Sequence, residues 1–197
     1  IQKDAANKIL HIVKEHSLEM EPYDILEHKG FLRNLMIRHT ENTNEVMVNI
    51  VTAFEDTEKL KSLTHKIVEN VKNVKSIVNN ITSRKAGVSK GEYEINLYGE
   101  NFIQEIINGL TFNISANSFF QTNTKQTENL YSMIIDEANL TGNEVVYDLY
   151  CGTGTIGISM AQYVKQVYGF EINEPAVNDA IINAQANNIK NIKFFKG

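Results

Sequence analysis

Three glycines in the second half of the sequence form the segment with the clearest chemical purpose. Gly152, Gly154 and Gly157 follow the apolar run 145–150 in a Gly-x-Gly-x-x-Gly spacing and precede a helical pattern. A loop of this kind between a strand and a helix allows a tight turn, lets a ligand approach the backbone, and lets the helix pack against the strand. The spacing occurs in dinucleotide sites and in S-adenosylmethionine sites, so the glycines leave the cofactor open.

Two carboxylates near this loop favour one of those cofactors. Asp148 precedes the glycines, where it would repel a pyrophosphate but suits a ligand with a cationic amino-acid group. Glu171 ends the next apolar run, where a carboxylate accepts hydrogen bonds from two ribose hydroxyls. The pattern therefore predicts S-adenosylmethionine, and an NAD-dependent oxidoreductase is the alternative. Orienting the loop through backbone hydrogen bonds is an alternative role for Asp148.

The alternation of helix and strand from residue 115 onward predicts the sheet that positions these residues. The expected elements are helices over 124–138, 155–163 and 174–187, and strands over 145–150, 166–170 and 192–195. This order is typical of a parallel sheet covered by helices, and the short apolar run 145–150 is expected to be a buried strand. Three strands are fewer than such sheets usually contain. We therefore expect residues 115–197 to be an incomplete α/β, Rossmann-like domain.

Residues 1–114 predict a smaller α+β domain with antiparallel character. Amphipathic helices are expected over 5–18 and around 60–74, and the polar stretch between 32–39 and 45–53 indicates a hairpin. Further strands are expected over 76–82, 93–98, 102–107 and 110–115. The chain is thus expected to have two domains, with the boundary at residue 114.

The distribution of charge bears on nucleic-acid binding. The net charge of −5 provides no overall attraction for RNA. Residues 59–90, however, contain eight Lys or Arg residues and a single acidic one, Glu69. A solvated helix face explains such a run, and a surface that contacts RNA phosphates is the alternative.

The cysteine, histidine and apolar content excludes several classes of site. A single cysteine, Cys151, excludes an internal disulfide and a metal or iron–sulfur site built from several thiolates. The five histidines lack metal-ligand spacing, so no metal is expected. No apolar run approaches the length of about 18 residues that a membrane helix needs, and we expect a cytoplasmic protein without membrane contact.

Several motifs together resemble one family. Ser118-Phe-Phe-Gln121-Thr-Asn123, followed by a helix and then by Asp-Leu-Tyr-Cys-Gly-Thr-Gly at 148–154, resembles the RNA 5-methyluridine (uracil-C5) methyltransferases of ribosomal and transfer RNA. The similarity extends to Gly-Phe-Glu at 169–171 and to residues 30–38. It also includes Asp179-Ala180, Asn183-Ala184 and Asn187. The resemblance therefore covers nearly the whole chain.

The resemblance implies roles for individual residues. Gln121 would contact the cofactor from the phenylalanine-rich segment, Tyr150 would lie beside the glycine loop, and Glu171 would hold the ribose. Thr155 occupies a further cofactor contact. The predicted cofactor-binding set is Gln121, Asp148, Tyr150, Gly152, Gly154, Thr155 and Glu171. Phe119 and Phe120 are expected in the core, and Cys151 is expected to face the wrong reactant for a nucleophile.

The resemblance also implies an activity, which is S-adenosylmethionine-dependent methylation of a uridine at C5 in RNA. It favours 23S ribosomal RNA, with transfer RNA as the alternative. In this chemistry a cysteine thiolate adds to uracil C6 and activates C5, and the base leaves its stack to reach the pocket. The cysteine and the general base are expected beyond Gly197, so no catalytic residue is predicted here and the chain alone is expected to be inactive. A class I methyltransferase with another substrate and a non-catalytic RNA-binding module are further alternatives.

Overall fold

The chain folds into two compact units. The structure, a computed structural model, describes residues 3–85 and 91–197, so Lys90 of the predicted basic run lies outside the described residues. The first unit comprises Ile1–Thr40 and Asn44–Ile103, and the second comprises Glu41–Thr43 and Gln104–Gly197. This division falls earlier than the boundary predicted at residue 114. Among the described residues, no helix has the length and apolar character to cross a membrane.

The first unit is a four-stranded sheet with two helices packed against it. Its elements are α1 (Asp4–Ser17), β1 (Leu32–His39), β2 (Val46–Thr52), α2 (Thr57–Asn70), β3 (Val74–Ile81) and β4 (Tyr93–Gly99), and the strand order is β1-β2-β3-β4. The apolar stripe of each helix is buried with the sheet, as with Ile9 of α1 and Leu63 of α2. This core accounts for the amphipathic patterns of both helices.

The strand pairing of this sheet is mixed rather than antiparallel throughout. The predicted hairpin of β1 and β2 is confirmed. β2 and β3 pair in parallel, so the antiparallel expectation is wrong at this position. The reason is that α2 connects these two strands as a crossover helix, and a crossover returns the chain in the same direction.

The second unit contains a hairpin and a three-stranded parallel sheet. Its elements are β5 (Phe102–Ile107), which belongs to this unit from Gln104 onward, β6 (Leu110–Ser115), α3 (Thr124–Glu137), β7 (Val145–Leu149), α4 (Thr155–Ala161), β8 (Gln166–Glu171), α5 (Glu174–Ala186) and β9 (Ile192–Lys196). β5 pairs with β6, and the parallel sheet has the order β7-β8-β9. The parallel sheet predicted for residues 115–197 is therefore confirmed.

The two faces of this parallel sheet differ in burial. α4 and α5 pack on the face that carries Val167 and Ile192, which are both buried. The opposite face carries the stacked rings of Tyr147, Tyr168, Phe170 and Phe195. On that face Val145, Tyr147 and Leu149 are exposed, and so is Tyr150, so the expectation of a buried strand at 145–150 is wrong.

Two side chains of α5 and that of Asn187, directly after the helix, form a ladder with the edge of β6. Asn187 accepts a hydrogen bond from the Thr111 amide (2.8 Å) and donates to the Thr111 carbonyl (2.6 Å). Asn183 accepts from the Asn113 amide (2.8 Å), and Asp179 accepts from the Ser115 hydroxyl (2.8 Å). Four helical residues rise about 6 Å and two strand residues rise about 6.7 Å, so the two spacings match. The strand edge is thereby paired without another strand.

A buried glutamate ties residues 41–43 to the second unit. Glu105 of β5 is only 1% exposed. Its carboxylate accepts hydrogen bonds from the amides of Glu41 (2.7 Å), Asn42 (3.0 Å) and Ile106 (3.0 Å), and from the Thr124 hydroxyl (2.6 Å). Four donors compensate the cost of removing a carboxylate from water. This cluster places the short segment 41–43 in the second unit.

Candidate cofactor site

The glycine loop connects the end of β7 to the start of α4. The Cys151 amide donates to the Phe170 carbonyl (3.0 Å), and the Gly154 amide donates to the Cys151 carbonyl (2.9 Å), so the loop is attached to β8 and closed on itself. Tyr150 has a φ of +62° and a side chain that is 90% exposed. A bulky residue in the left-handed region is strained, and such strain is concentrated at functional sites.

The three glycines of the motif have different surroundings. A Cβ atom at Gly152, where φ is +54°, would meet no atom within 4 Å. At Gly154 it would lie 2.8 Å from the Phe194 ring, and at Gly157 it would lie 2.9 Å from an Asp148 carboxylate oxygen. Gly152 therefore borders open space where a ligand can approach the backbone. Gly154 and Gly157 serve the turn and the packing of α4, and a direct contact of Gly154 with the cofactor stays a prediction.

Asp148 orients the start of α4. Its Oδ2 accepts a hydrogen bond from the Gly157 amide (2.9 Å), and burial raises the pKa of this carboxyl above its usual range. The geometry supports the loop-orienting role that the sequence left open. A direct contact between Asp148 and the cofactor stays a prediction.

Glu171 lies beside the glycine loop at the end of β8. Its Oε2 accepts from the Gly152 amide (3.1 Å), and its Oε1 accepts from the Asn173 amide (2.8 Å). Two backbone donors therefore fix the carboxylate next to the one loop glycine that faces open space. Carboxylate oxygens have further lone pairs, so this group can still accept hydrogen bonds from a diol.

Thr155 begins α4, and its position is fixed from α3. The Thr155 Oγ1 and the hydroxyl of the buried Tyr131 are 2.7 Å apart. Burial is the main cause that raises the pKa of Tyr131. Tyr131 was missed by sequence reasoning, because a tyrosine on an amphipathic helix carries no signal beyond its contribution to the apolar face.

The segment before α3 is exposed in part. Gln121 is exposed and precedes Asn123, whose side chain caps α3 by accepting from the Gln126 amide (3.2 Å). Among the described residues Gln121 makes no hydrogen bond to the glycine loop, and its cofactor contact stays a prediction.

Phe120 is buried and lies near Phe112, as expected for a core residue. Phe119 is 76% exposed, so its placement in the core is wrong for the described structure.

The sequence matches the model of the tRNA (uracil-5-)-methyltransferase family over residues 5–196. The chain belongs to this family. Membership confirms the resemblance found in the sequence and contradicts the alternative of an NAD-dependent oxidoreductase.

Within residues 3–85 and 91–197, no group of three or more His, Cys, Asp or Glu side chains is arranged to hold a metal ion.

Bacterial relatives in this family match the whole chain. An uncharacterized RNA methyltransferase of Chlorobaculum tepidum is 41% identical over 199 residues, which cover 100% of this chain and 41% of that protein. A second one, of Clostridium acetobutylicum, is 44% identical over 199 residues, which cover 100% of this chain and 43% of that protein. The chain thus spans less than half the length of these relatives.

A solved structure supports the fold. The tRNA (uracil-54, C5)-methyltransferase of Pyrococcus abyssi, determined in complex with S-adenosyl-L-homocysteine, has a TM-score of 0.76 to this chain and 30% sequence identity. The similarity covers 94% of this chain and 44% of that one. The predicted class I, Rossmann-like methyltransferase fold is thereby confirmed.

The surroundings of Cys151 in this chain make its thiol unreactive. Burial, reinforced by the negative charges of Asp148 and Glu171, raises its pKa to about 12. Only the thiolate is nucleophilic. We therefore expect iodoacetamide to alkylate the folded protein about 100-fold more slowly than free cysteine at mildly alkaline pH. Unfolding in urea should restore the normal alkylation rate. A rate for the folded protein within about tenfold of that of free cysteine would contradict this environment.

Asn183 connects the ladder of α5 to the glycine loop. Besides its bond to β6, its buried Nδ2 donates to the Thr153 carbonyl (3.2 Å). We expect Asn183→Ala to lower the free energy of unfolding by about 2 kcal/mol, because it leaves buried backbone groups without partners. Urea denaturation measures this loss. Gln185→Ala, at an exposed position of the same helix, is the matched control, with an expected change below about 0.5 kcal/mol. Equal effects of the two substitutions would argue against the anchoring role.

Proposed function

We propose that this chain provides the S-adenosylmethionine site of an enzyme that methylates uridine at C5 in RNA. The observation that carries the proposal is the position of Glu171, whose carboxylate is held by the Gly152 amide beside open space. A carboxylate at the end of the second strand of such a sheet suits the ribose hydroxyls of an adenosine cofactor. The family membership of the chain supports the same cofactor.

The charges around the loop fit this cofactor. Asp148 and Glu171 place two carboxylates next to the glycine loop. Such a pair attracts the positively charged sulfonium and amino groups of S-adenosylmethionine and would repel the pyrophosphate of a dinucleotide. The Pyrococcus abyssi relative was determined with S-adenosyl-L-homocysteine, which is also free of phosphate.

Each residue of the proposed site has a separate task. When bound, S-adenosylmethionine supplies a methyl group on a sulfonium centre. Glu171 accepts hydrogen bonds from the ribose, and the exposed ring of Tyr150 offers an apolar surface beside the loop. Tyr131 and Asp148 position Thr155 and α4 through the hydrogen bonds described above. Gln121 would complete the site from the segment before α3.

The class of RNA has two candidates. The sequence resemblance leads to 23S ribosomal RNA. The family description and the solved relative from Pyrococcus abyssi both name transfer RNA, which favours the second candidate. Either RNA would place the protein in the cytoplasm.

Deletion of the gene separates these candidates. We expect mass analysis of RNA from the deletion strain to show loss of 5-methyluridine from ribosomal RNA or from transfer RNA, and the affected RNA identifies the substrate. Restoring the gene should restore the modified nucleoside. Normal levels of 5-methyluridine in both RNA classes would contradict the proposed reaction.

A second measurement addresses the cofactor directly. Titration of the purified protein with S-adenosyl-L-homocysteine should show binding that S-adenosylmethionine displaces and NAD does not. A protein that fails to bind S-adenosyl-L-homocysteine would instead match the alternative of a non-catalytic RNA-binding module that has kept the fold.

A further inference from the structure

We infer that the first unit contains a binding site for one unpaired RNA nucleotide, at a surface cavity of about 320 Å³. The residues that form it include Tyr23, His28, Lys29, Arg33, Phe54 and Ser83. The inference rests on the proposed function, because it specifies where an RNA substrate would contact this chain. We call this cavity the nucleotide pocket.

The nucleotide pocket has an aromatic ring that is held in place and partly exposed. Phe54 packs against the buried Phe31, with ring centroids 5.1 Å apart and planes tilted by 50°. The Phe54 side chain nevertheless remains 45% exposed, with the Lys59 Nζ 5.6 Å from its ring centroid. A fixed, partly exposed ring is the kind of surface on which unpaired bases stack in RNA-binding proteins. Bases in a duplex are already stacked and would not reach it.

The charged groups of the pocket are positive. The Arg33 guanidinium lies 4.2 Å from the centroid of the Tyr23 ring. Its Nη1 donates to the carbonyls of Thr82 (2.8 Å) and Arg84 (2.7 Å), so the charge is held in one orientation. Lys29 adds a second, exposed cation. Among the described residues that line the pocket there is no Asp or Glu, and the combination suits a phosphate group.

The backbone around the pocket is ordered before any ligand binds. The Tyr23 amide donates to the Leu32 carbonyl (2.8 Å), and the Asp24 amide donates to the Lys29 carbonyl (2.7 Å), which closes the loop that carries Tyr23 and Lys29. Gly30, with φ of +112°, permits this closure, because a Cβ there would lie 2.5 Å from the Pro22 carbonyl oxygen. A preformed site loses less conformational entropy on binding.

The pocket fits a nucleotide better than the basic run at residues 59–90 does. Three members of that run are paired with carboxylates: Lys59 with Asp56 (3.7 Å), Lys61 with Glu58 (2.5 Å) and Arg84 with Glu92 (3.8 Å). Such pairing reduces the net positive charge that the run presents to phosphates. The pocket instead combines cations with a ring, and that combination recognises both parts of a nucleotide.

Fluorescence anisotropy with a labelled single-stranded oligouridylate and the purified protein tests the inference. We expect Phe54→Leu to weaken binding about fivefold or more, because it removes a stacking surface. Phe54→Tyr should retain affinity. Lys29→Gln should weaken binding about threefold or more and reduce the slope of affinity against salt by about 0.7. Lys66→Gln, at an exposed lysine of α2, is the matched control and should change affinity less than about twofold.

Several outcomes would overturn the nucleotide pocket. The inference fails if Phe54→Leu and Lys29→Gln bind oligouridylate as tightly as the wild type does. It also fails if these substitutions weaken binding to duplex RNA as much as binding to the single strand. Displacement by uridine monophosphate as effective as by the oligomer would indicate a site for free nucleotides instead. Binding of S-adenosyl-L-homocysteine, measured on the same preparations, reports the proposed function separately. If the protein binds S-adenosyl-L-homocysteine but the substitutions leave its affinity for oligouridylate unchanged, only the nucleotide pocket is contradicted.

Discussion

Glu171→Ala is expected to weaken binding of S-adenosyl-L-homocysteine by about 30-fold or more, which corresponds to about 2 kcal/mol. Hydrogen bonds to a charged acceptor are among the stronger ones, and the substitution removes an acceptor that we propose for two ribose hydroxyls. It also releases the Gly152 amide, which the carboxylate now holds at 3.1 Å. Isothermal titration calorimetry measures the change.

The matched control for this prediction is Glu174→Gln. Glu174 lies three residues further along the chain at the start of α5, is exposed, and pairs with Lys196 at 2.7 Å. Its replacement removes the same charge from the same region but no proposed cofactor contact, so we expect a change below about twofold. Affinity of Glu171→Ala within about threefold of wild type, a difference of about 0.6 kcal/mol, would rule out a ribose-binding role for this carboxylate.

Glu105→Ala is expected to lower the free energy of unfolding by about 3 kcal/mol or more, since it removes a buried acceptor and leaves its four donors without a partner. The donors include the amides of Glu41 and Asn42, which this carboxylate ties to β5. Glu105→Gln should also be destabilising, because an amide group would place its own donors against these backbone donors. Urea denaturation followed by circular dichroism provides the measurement.

Glu128→Ala is the appropriate comparison for Glu105. Glu128 also accepts a hydrogen bond from Asn42, through the side-chain amide at 3.2 Å, but it is only half-buried and this bond is open to solvent. We expect its replacement to cost less than about 1 kcal/mol, because water can take its place. If the two alanine variants lost equal stability, burial of the Glu105 carboxylate would not be the source of its effect.

Much of the fold was predictable from local patterns. The amphipathic stripes of α1 and α2 and the helix–strand alternation after residue 115 were read correctly, because the repeat distance of buried residues differs between helices and strands. The parallel pairing of β2 and β3 was not predicted, since the direction of pairing depends on how α2 crosses the sheet. Exposure of the Tyr147 face was likewise missed, because apolar runs do not report what covers each side of a strand.

The ladder between α5 and β6 shows how the sequence can mark a position without revealing its role. Asp179, Asn183 and Asn187 were singled out by family resemblance and suggested nothing more. Their spacing of four residues is that of one helical face. Their partners at Ser115, Asn113 and Thr111, however, lie 64, 70 and 76 residues away in the sequence. Only the packed structure shows that these side chains complete a strand edge.

The sequence by itself determined the glycine loop, its strand and helix, and the carboxylate at Glu171, because each depends on residues within one βαβ segment. The tertiary structure decided which loop glycine borders open space, which donors hold Glu171, and that Asp148 bonds to the Gly157 amide. It also brought Tyr131 to Thr155, and it gathered Tyr23, Arg33 and Phe54 into one pocket. These arrangements depend on how helices, strands and loops pack against one another, and local periodicity does not report such contacts.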